Sequence, residues 1–246
     1  MVTVLERLGV EVHYPTEQTC CGQPAFNTGY WDEARQVATR FIEVFEKAGC
    51  DAIVSPSGSC TAMVRVFYKE LFKVTDDQRS NVEGQTGAIP QNAPTLHAPR
   101  SNGFLKRLAM VTENSFEFSE FLTKKLHLTD VGARFPAKVT FHDACHLLRE
   151  LRCKDEPRQL LRAVKGLELV EMKECETCCG FGGTFSVKFP MISTAMDDVK
   201  IKSVQETGAE YVVSCDSSCL MQIDGYLKRQ KIPIKTISLA EVLASR

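Results

Sequence analysis

Short apolar runs alternate with longer segments of helical periodicity along the second half of the chain. The apolar runs predict strands at residues 138–141, 167–170, 211–213 and 232–237. Apolar residues spaced three and four apart predict helices at residues 157–164, 191–207, 220–228 and 239–243. Strands that alternate with helices form parallel sheets flanked by helices, so this half is predicted to be an α/β unit.

The first half shows the same order of elements but enters that order late. Helices are predicted at residues 1–9, 31–47 and 61–71, and strands at residues 10–14 and 52–54. Another helix is predicted at residues 115–126, where residues 119–122 are similar to residues 240–243 near the C-terminus. Residues 76–103 are polar and rich in Gly, Asn, Gln and Pro, which predicts a loop or a poorly ordered segment.

The cysteines repeat in step with these elements. Cys20 and Cys21 precede a glycine and Cys60 follows Cys21 by 39 residues, whereas Cys219 follows Cys179 by 40 residues in the second copy. The second copy reads Cys178-Cys179-Gly180 and has an additional upstream cysteine, Cys145, in the string Phe141-His142-Asp143-Ala144-Cys145-His146. A repeated motif of this size indicates one structural unit per copy.

The predicted fold class is α/β, with two pseudo-symmetric repeats that are each a small parallel sheet flanked by helices. The first repeat is placed at residues 1–75, a linker loop and helix at 76–135, and the second repeat at 136–246. A first-copy counterpart of Cys145 would fall before Met1, so the first repeat is expected to lack its opening strand and first cysteine. We interpret this as an N-terminal truncation, an alternative start or a shortened expression product. A divergent repeat that never had this cysteine is the alternative.

Composition limits the class of partner and the compartment. The 246 residues carry a formal net charge of −1, which argues against nucleic acid or an anionic membrane surface as the main partner. No apolar run approaches the roughly 20 residues of a membrane span, and the N-terminus does not read as a signal peptide. Eleven cysteines without a secretion signal favour metal or redox chemistry in a reducing cytoplasm over structural disulfides.

The predicted strands bring four thiols to one edge. Cys145, the pair Cys178 and Cys179, and Cys219 each follow a predicted strand, and functional groups gather at the carboxyl ends of parallel strands. Four converging thiolates suit an iron–sulfur cluster or zinc. Neighbouring side chains diverge, so Cys178 and Cys179 are expected to reach different irons of a cluster more easily than one zinc. Gly180 allows backbone amides to approach the sulfur atoms.

The double pattern of a cysteine, Cys-Cys-Gly and a further cysteine resembles the cysteine-rich CCG-domain family, which includes a subunit of heterodisulfide reductase. The most specific strings are residues 20–27, 55–60 and 178–187, which are similar to those of the lactate utilization A group of glycolate-oxidase-like iron–sulfur subunits. The resemblance covers nearly the whole chain. It implies a cytoplasmic electron-transfer subunit with a 4Fe-4S cluster, working with other subunits of a bacterial complex that oxidises L-lactate to pyruvate.

The resemblance also implies the ligand positions. They fall on Cys20, Cys21 and Cys60 in the first copy and on Cys145, Cys178, Cys179 and Cys219 in the second copy. The family motif often ends Cys-x-x-Cys, whereas Cys215 precedes Cys219 by four residues and Pro56 stands at the position of Cys215 in the first copy. Cys215 is therefore an additional candidate rather than an expected ligand.

Several alternatives remain open from the residues alone. The chain could be a zinc-stabilised interaction module, or a thiol–disulfide oxidoreductase that works through Cys178 and Cys179 or through Cys215 and Cys219. No flavin or nicotinamide motif is recognisable, so hydride removal from lactate requires another subunit or a site without a recognisable motif, and no catalytic residue is predicted. Three further residues have two readings each: His142 and His146 either tune a cluster or donate to backbone carbonyls, and Cys175 is an extra ligand or a resolving thiol.

Overall fold

The structure is a computed structural model that describes residues 1–73 and 102–246. The elements of the first part are α1 Val2–Arg7, α2 Gln23–Asn27, α3 Trp31–Ala48, β1 Ile53–Ser55, α4 Gly58–Ala62, a π-helical turn at Met63–Phe67, and α5 Tyr68–Lys73. Those of the second part begin with α6 Asn102–Glu113, β2 Ser115–Glu117, α7 Phe118–Glu120, a π-helical turn at Phe121–Lys125, β3 Lys138–His142, α8 Cys145–Arg149, α9 Asp155–Ala163 and β4 Glu168–Leu169. They end with α10 Phe185–Lys188, α11 Pro190–Thr207, β5 Tyr211–Ser214, α12 Ser217–Gln230, β6 Lys235–Ser238 and α13 Leu239–Ala244.

The larger sheet has four parallel strands in the order β4, β3, β5, β6. The central pair is in register from Val139 opposite Tyr211 to His142 opposite Ser214. Apolar side chains of these two strands, such as Phe141 and Val213, are fully buried because helices cover the sheet. The α/β class predicted for this half is confirmed.

The smaller sheet pairs β1 with β2 in parallel, from Ile53 opposite Ser115 to Ser55 opposite Glu117. The prediction of a helix from residue 115 is wrong in its first turn, because residues 115–117 form this strand and the helix begins at Phe118. Glu117 has extended backbone and its carboxylate accepts hydrogen bonds from the amides of Ser119 and Glu120. Partner strands distant in sequence leave no local periodicity, so the apolar pattern could not reveal β2.

The strand predicted at residues 10–14 does not form. Its counterpart in the second half is β4, which pairs only with β3. The described part of the first half holds no strand equivalent to β3, so residues 10–14 have no neighbour with which to form a ladder. The first sheet therefore has two strands where the second has four.

Helix boundaries follow local chemistry more closely than strands do. α3 ends at Gly49 and α11 ends at Gly208, and both glycines have the left-handed backbone that commonly ends a helix, with φ of 62° and 65°. α6 was not predicted from the sequence. The predicted loop at residues 76–103 lies outside the described residues up to residue 101, and its last two residues already belong to α6.

The described chain packs as two compact units. One contains residues 1–14, 52–62 and 115–246 and holds both sheets; the other contains residues 15–51 and 63–114, and the elements formed by its described residues are helices. In the helical unit Tyr68 is fully buried, contacts Phe41 and Phe72 edge to face, and donates a hydrogen bond to the carbonyl of Cys21 at 2.9 Å. None of the helices described has the length and apolar composition that crossing a membrane requires.

Candidate metal centre

Three strand-to-helix turns of the larger sheet carry the predicted second-copy cysteines. Cys145 is the first residue of α8 and follows β3, whereas Cys219 lies in the first turn of α12 and follows β5. Cys178 and Cys179 lie in the loop that leads from β4 to α10. Because all strands of this sheet are parallel, these turns meet at its carboxyl edge.

The four thiols lie within hydrogen-bonding reach of one another as a chain. Cys145 contacts Cys178, Cys178 contacts Cys179, and Cys179 contacts Cys219. The expectation that the side chains of Cys178 and Cys179 diverge is therefore wrong, because their thiols contact each other. None of these four cysteines forms a disulfide. Cys179 and Cys219 are buried, while Cys145 and Cys178 are half-buried. The structure therefore brings together the four residues predicted for the second copy; their role as ligands is still a prediction.

Electrostatics in this chain of thiols favour one thiolate. Hydrogen bonds from Cys145 and Cys179, and one from the Gly180 amide at 3.4 Å, hold the pKa of Cys178 well below its usual range. The same contacts with Cys178 raise the pKa values of Cys145 and Cys179, and burial adds to both. Only deprotonated thiols bind metals, so metal binding here would release the remaining protons.

The glycine of each Cys-Cys-Gly motif has left-handed backbone, and a neighbouring carbonyl oxygen lies close to the position that a Cβ would take. Gly180 has φ of 83°, and a Cβ at this position would lie 2.8 Å from the carbonyl oxygen of Ser193. Gly22 has φ of 86°, and its amide donates to the Cys20 sulfur at 3.4 Å, as the Gly180 amide does to Cys178. The two motifs thus share one turn that directs a backbone amide at the first sulfur.

His142 ends the central strand β3 beneath the thiols. Its side chain is fully buried, and one ring nitrogen and the sulfur atoms of Cys179 and Cys219 all lie within 4.8 Å of one another. Neither ring nitrogen makes a hydrogen bond with any residue that the structure describes. Burial lowers the pKa of His142 to about 3, with a further contribution from Lys200, so the ring is neutral and can bind a metal.

Lys200 places a cation beside the same thiols. It is fully buried on α11, and its ammonium group donates to the backbone carbonyls of Glu174 and Cys175. Among the described residues no carboxylate lies within ion-pair distance of it, and burial lowers its pKa. The groups that stabilise its charge from a greater distance are the thiols of Cys175, Cys179 and Cys219 and, with a smaller effect, the carboxylate of Glu174. Nothing in the sequence pattern distinguished this lysine from a surface lysine.

A buried ion pair supports the turn after β3. Arg158 donates to both carboxylate oxygens of Asp143 at 2.8 Å and also contacts Glu171 at 2.7 Å. Asp143 also donates its amide to the Cys175 carbonyl at 3.0 Å. The residue before α8, Ala144, has no side-chain cap, so Asp143 anchors the turn through Arg158 rather than through the helix.

Asp216 caps two helices at once. One carboxylate oxygen accepts from the Ser218 amide at 3.1 Å in the first turn of α12, and the other accepts from the Ser59 amide at 2.9 Å in the first turn of α4. The Gly58 amide also donates to the Cys215 carbonyl at 3.0 Å. These contacts join the turn before Cys60 to the turn before Cys219.

The remaining predicted cysteines have distinct surroundings. Cys20 and Cys21 belong to the helical unit, where Cys20 is exposed and Cys21 is buried, whereas Cys60 belongs to the unit that holds the sheets. The Cys60 amide donates to the Ser57 hydroxyl at 3.3 Å. Cys215 is buried with its thiol against the Glu117 carboxyl, and burial raises its pKa well above the usual value. Ligation by the first-copy cysteines remains a prediction.

Comparison with known proteins finds similarity along nearly the whole chain. A family model described as "Cysteine-rich domain" (CCG) matches residues 1–65 and 139–224. Lactate utilization protein A from Exiguobacterium is 43% identical over 242 residues, which cover 98% of this chain and 88% of that protein. Lactate utilization protein A from Bacillus pumilus is 42% identical over 245 residues, covering 100% of this chain and 91% of that protein. The protein of the same name from Geobacillus is 40% identical over 245 residues, with the same coverage.

Proposed function

The chain belongs to the cysteine-rich CCG-domain family, and from that premise we propose that it is an iron–sulfur electron-transfer subunit of a bacterial L-lactate-oxidising system. Relatives that are 40–43% identical over nearly all of the chain are named lactate utilization protein A, which supports lactate as the electron source. The proposed complex is cytoplasmic, converts lactate to pyruvate, and includes further subunits that carry out the hydride chemistry.

The observation that carries the proposal is the convergence of four thiols at one sheet edge. The thiols come from three different turns and contact one another in a chain formed by Cys145, Cys178, Cys179 and Cys219. Cys178 and Cys179 are adjacent in the sequence. Four converging thiolates fit either a 4Fe-4S cluster or one tetrahedral zinc ion, and the family of the relatives favours the cluster. A bound 4Fe-4S cluster would supply reversible one-electron transfer.

The surrounding residues suit such a role. Cys179 and Cys219 are buried and keep water from the inner side of the site, whereas Cys145 and Cys178 are half-buried and leave an outer side for electron exchange with a partner. The Gly180 amide donates to the Cys178 sulfur, and Lys200 adds a buried positive charge. Hydrogen bonds to sulfur and nearby charge are the means by which a protein sets a cluster's reduction potential.

A zinc-stabilised interaction module is the second candidate, and one observation favours it. His142, Cys179 and Cys219 form a mixed nitrogen and sulfur set within 4.8 Å, which is a set that zinc commonly takes. Zinc has no redox chemistry, so this candidate excludes electron transfer. A thiol–disulfide oxidoreductase is the third candidate and would require no metal.

Anaerobic purification of the full chain, followed by iron, sulfide and zinc analysis, separates these candidates. The proposed function predicts a brown protein with iron and sulfide in similar amounts, whose visible absorption bleaches on reduction and returns on oxidation. Colourless protein with zinc would support the second candidate, and colourless protein without metal the third. A bacterial strain without the gene should fail to grow on L-lactate and still grow on glucose, and the Cys179→Ser gene should not restore growth.

A further inference from the structure

We propose that His142 supplies a nitrogen ligand to the metal group held by Cys179 and Cys219, so that the centre has mixed imidazole and thiolate ligation. The proposal deepens the proposed function and rests on it for the identity of the metal as iron. In the sequence His142 is only a near neighbour of Cys145, whereas the structure places its ring beside the sulfur atoms of Cys179 and Cys219.

Among the described residues the His142 ring has no hydrogen-bond partner of ordinary geometry, although the Cys175 carbonyl is near enough to raise its pKa. His142 is fully buried, and neither ring nitrogen has a hydrogen bond among the residues described. The nearby carbonyl of Cys175 already accepts from the Asp143 amide at 3.0 Å and from Lys200 at 3.3 Å. The Ser214 hydroxyl donates to the backbone carbonyl of His142, not to its ring. A buried polar group without a partner is costly, so its presence indicates a ligand that the protein atoms do not supply.

The distances among the three ligand atoms suit metal binding. A ring nitrogen of His142 and the sulfur atoms of Cys179 and Cys219 lie within 4.8 Å of one another. Ligands of one tetrahedral metal stand roughly 3.3–3.8 Å apart when metal–nitrogen bonds are about 2.0 Å and metal–sulfur bonds about 2.3 Å. The three atoms are therefore close enough to bind one metal group together, either a single metal ion or neighbouring irons of a cluster.

Ligation by His142 would raise the reduction potential of the centre. When the neutral imidazole of His142 replaces one of the four thiolates, the metal centre becomes less negative by one charge, and histidine ligation raises the reduction potential of iron–sulfur centres above that of all-cysteine centres. Lys200 acts in the same direction from beside Cys179 and Cys219. The site is thus built to hold an electron more readily than four thiolates alone would.

His146 provides the matched control. It lies on α8 one residue after Cys145, and its Nδ1 is 3.6 Å from the Cys145 sulfur. Unlike His142, it is not part of the group of ligand atoms within 4.8 Å. A histidine effect that is specific to His142 is therefore distinguishable from a general effect of imidazoles near the thiols.

The test uses the full chain, purified anaerobically with its iron, in the oxidation state that is paramagnetic. Pulsed EPR should detect a nitrogen coupled directly to the centre, and labelling with ¹⁵N-histidine should change that coupling. The coupling should disappear in His142→Gln and persist in His146→Gln. The variant His142→Cys, which offers a thiolate in the same place, should keep its iron, lose the coupling and show a more negative reduction potential. Circular dichroism establishes that each variant folds.

The outcomes separate this proposal from the proposed function. Iron-loaded protein without a histidine coupling, or with a coupling that only His146→Gln removes, overturns the role of His142 and leaves the electron-transfer function standing. Colourless protein that binds zinc overturns the electron-transfer function. In that case X-ray absorption at the zinc edge still tests His142, since mixed nitrogen and sulfur ligation that becomes all-sulfur in His142→Cys supports it and all-sulfur ligation in the wild type overturns it. Protein that binds neither metal overturns both proposals.

Discussion

At the scale of single residues, the site contains a buried cation that forms no ion pair with a carboxylate among the described residues. Lys200 is fully buried and its ammonium group contacts only backbone carbonyls within hydrogen-bonding distance. A buried charge is tolerated when a counter-charge lies nearby, and the thiols of Cys175, Cys179 and Cys219 act on this one more strongly than the Glu174 carboxylate does. The positive charge of the lysine and the negative charge of the thiolates therefore stabilise each other.

Removing this charge should change the potential of the bound metal group. We expect Lys200→Met, which keeps the length of the side chain, to make the reduction potential more negative by the equivalent of about 2 kcal/mol, for a unit charge roughly 8 Å away at an effective dielectric constant of about 20. Redox titration of the anaerobically purified protein measures it. Lys202→Met is the matched control, because that side chain is 69% exposed and screened by water. Equal potentials in both variants would contradict the electrostatic role.

Glu117 gives a prediction for the dependence of stability on pH. This carboxyl is fully buried, and burial raises its pKa from 4.5 to about 7 in spite of hydrogen bonds from Ser119. A raised pKa in the folded state means that stability is greatest below about pH 4.5 and is lost as pH rises toward 7, by on the order of 3 kcal/mol. Urea unfolding of the metal-free protein between pH 5 and 7 should show this slope. Glu117→Gln should flatten it, whereas Glu168→Gln, whose side chain is 66% exposed, should not.

At the scale of elements, each thiol is fixed by the turn that ends a strand, and the turn depends on its glycine. Gly180 has little room because the Ser193 carbonyl and side chain lie against it. Gly183 also has positive φ, at 65°, but no atom within 4 Å of the position that a Cβ would take. Substitution of Gly180 therefore tests a steric clash together with backbone strain, whereas substitution of Gly183 tests backbone strain alone.

We expect Gly180→Ala to lower the free energy of unfolding by about 2–4 kcal/mol, because strain and a backbone clash add. Gly183→Ala should cost about 1–2 kcal/mol, from left-handed backbone alone. Chemical denaturation measures both, and iron per chain should fall more in the first variant because the Gly180 turn orients the Cys178 sulfur. Similar losses in the two variants would show that the contact with Ser193 is unimportant.

Some of these elements and site residues could be predicted from the sequence, and others could not. β3 and β5 are buried strands with local apolar character, and the rule that functional groups follow parallel strands was enough to predict that Cys145 and Cys219 converge. The strand at residues 10–14 was wrong, and β2 was missed, because strand formation there depends on a distant partner. Lys200 was missed for another reason. The buried stripe of α11 is largely polar, so no apolar pattern marks the face that meets the site; its buried polar members are Ser193, Asp197, Lys200 and Ser203.

At the scale of the whole molecule, the two cysteine copies are unequal. The second copy places its four thiols on one sheet edge within one compact unit, whereas the first copy has Cys20 and Cys21 in one unit and Cys60 in the other. The larger sheet has four strands and the smaller has two, so the scaffolds differ as well. The structure of each unit therefore gives the two copies different surroundings.

This inequality predicts different effects of matched mutations. Cys179→Ser should remove most of the bound iron, because it takes away a buried thiol that contacts both Cys178 and Cys219. Cys21→Ser, the corresponding change in the first copy, should remove less. Cys50→Ser is the control, since that thiol is exposed and lies outside both motifs. Iron per chain after anaerobic purification is the measurement, and equal losses at positions 21 and 179 would show that the copies contribute equally.

A single aspartate that serves two helices removes a freedom that gene duplication ordinarily gives. After duplication each copy can accumulate changes independently, as long as its own interior tolerates them. Asp216 ends that independence, because its replacement removes the hydrogen bond to the Ser59 amide in one copy as well as the hydrogen bond to the Ser218 amide in the other. Both copies therefore depend on Asp216, and a later mutation that compensates for its loss has to restore both turns together.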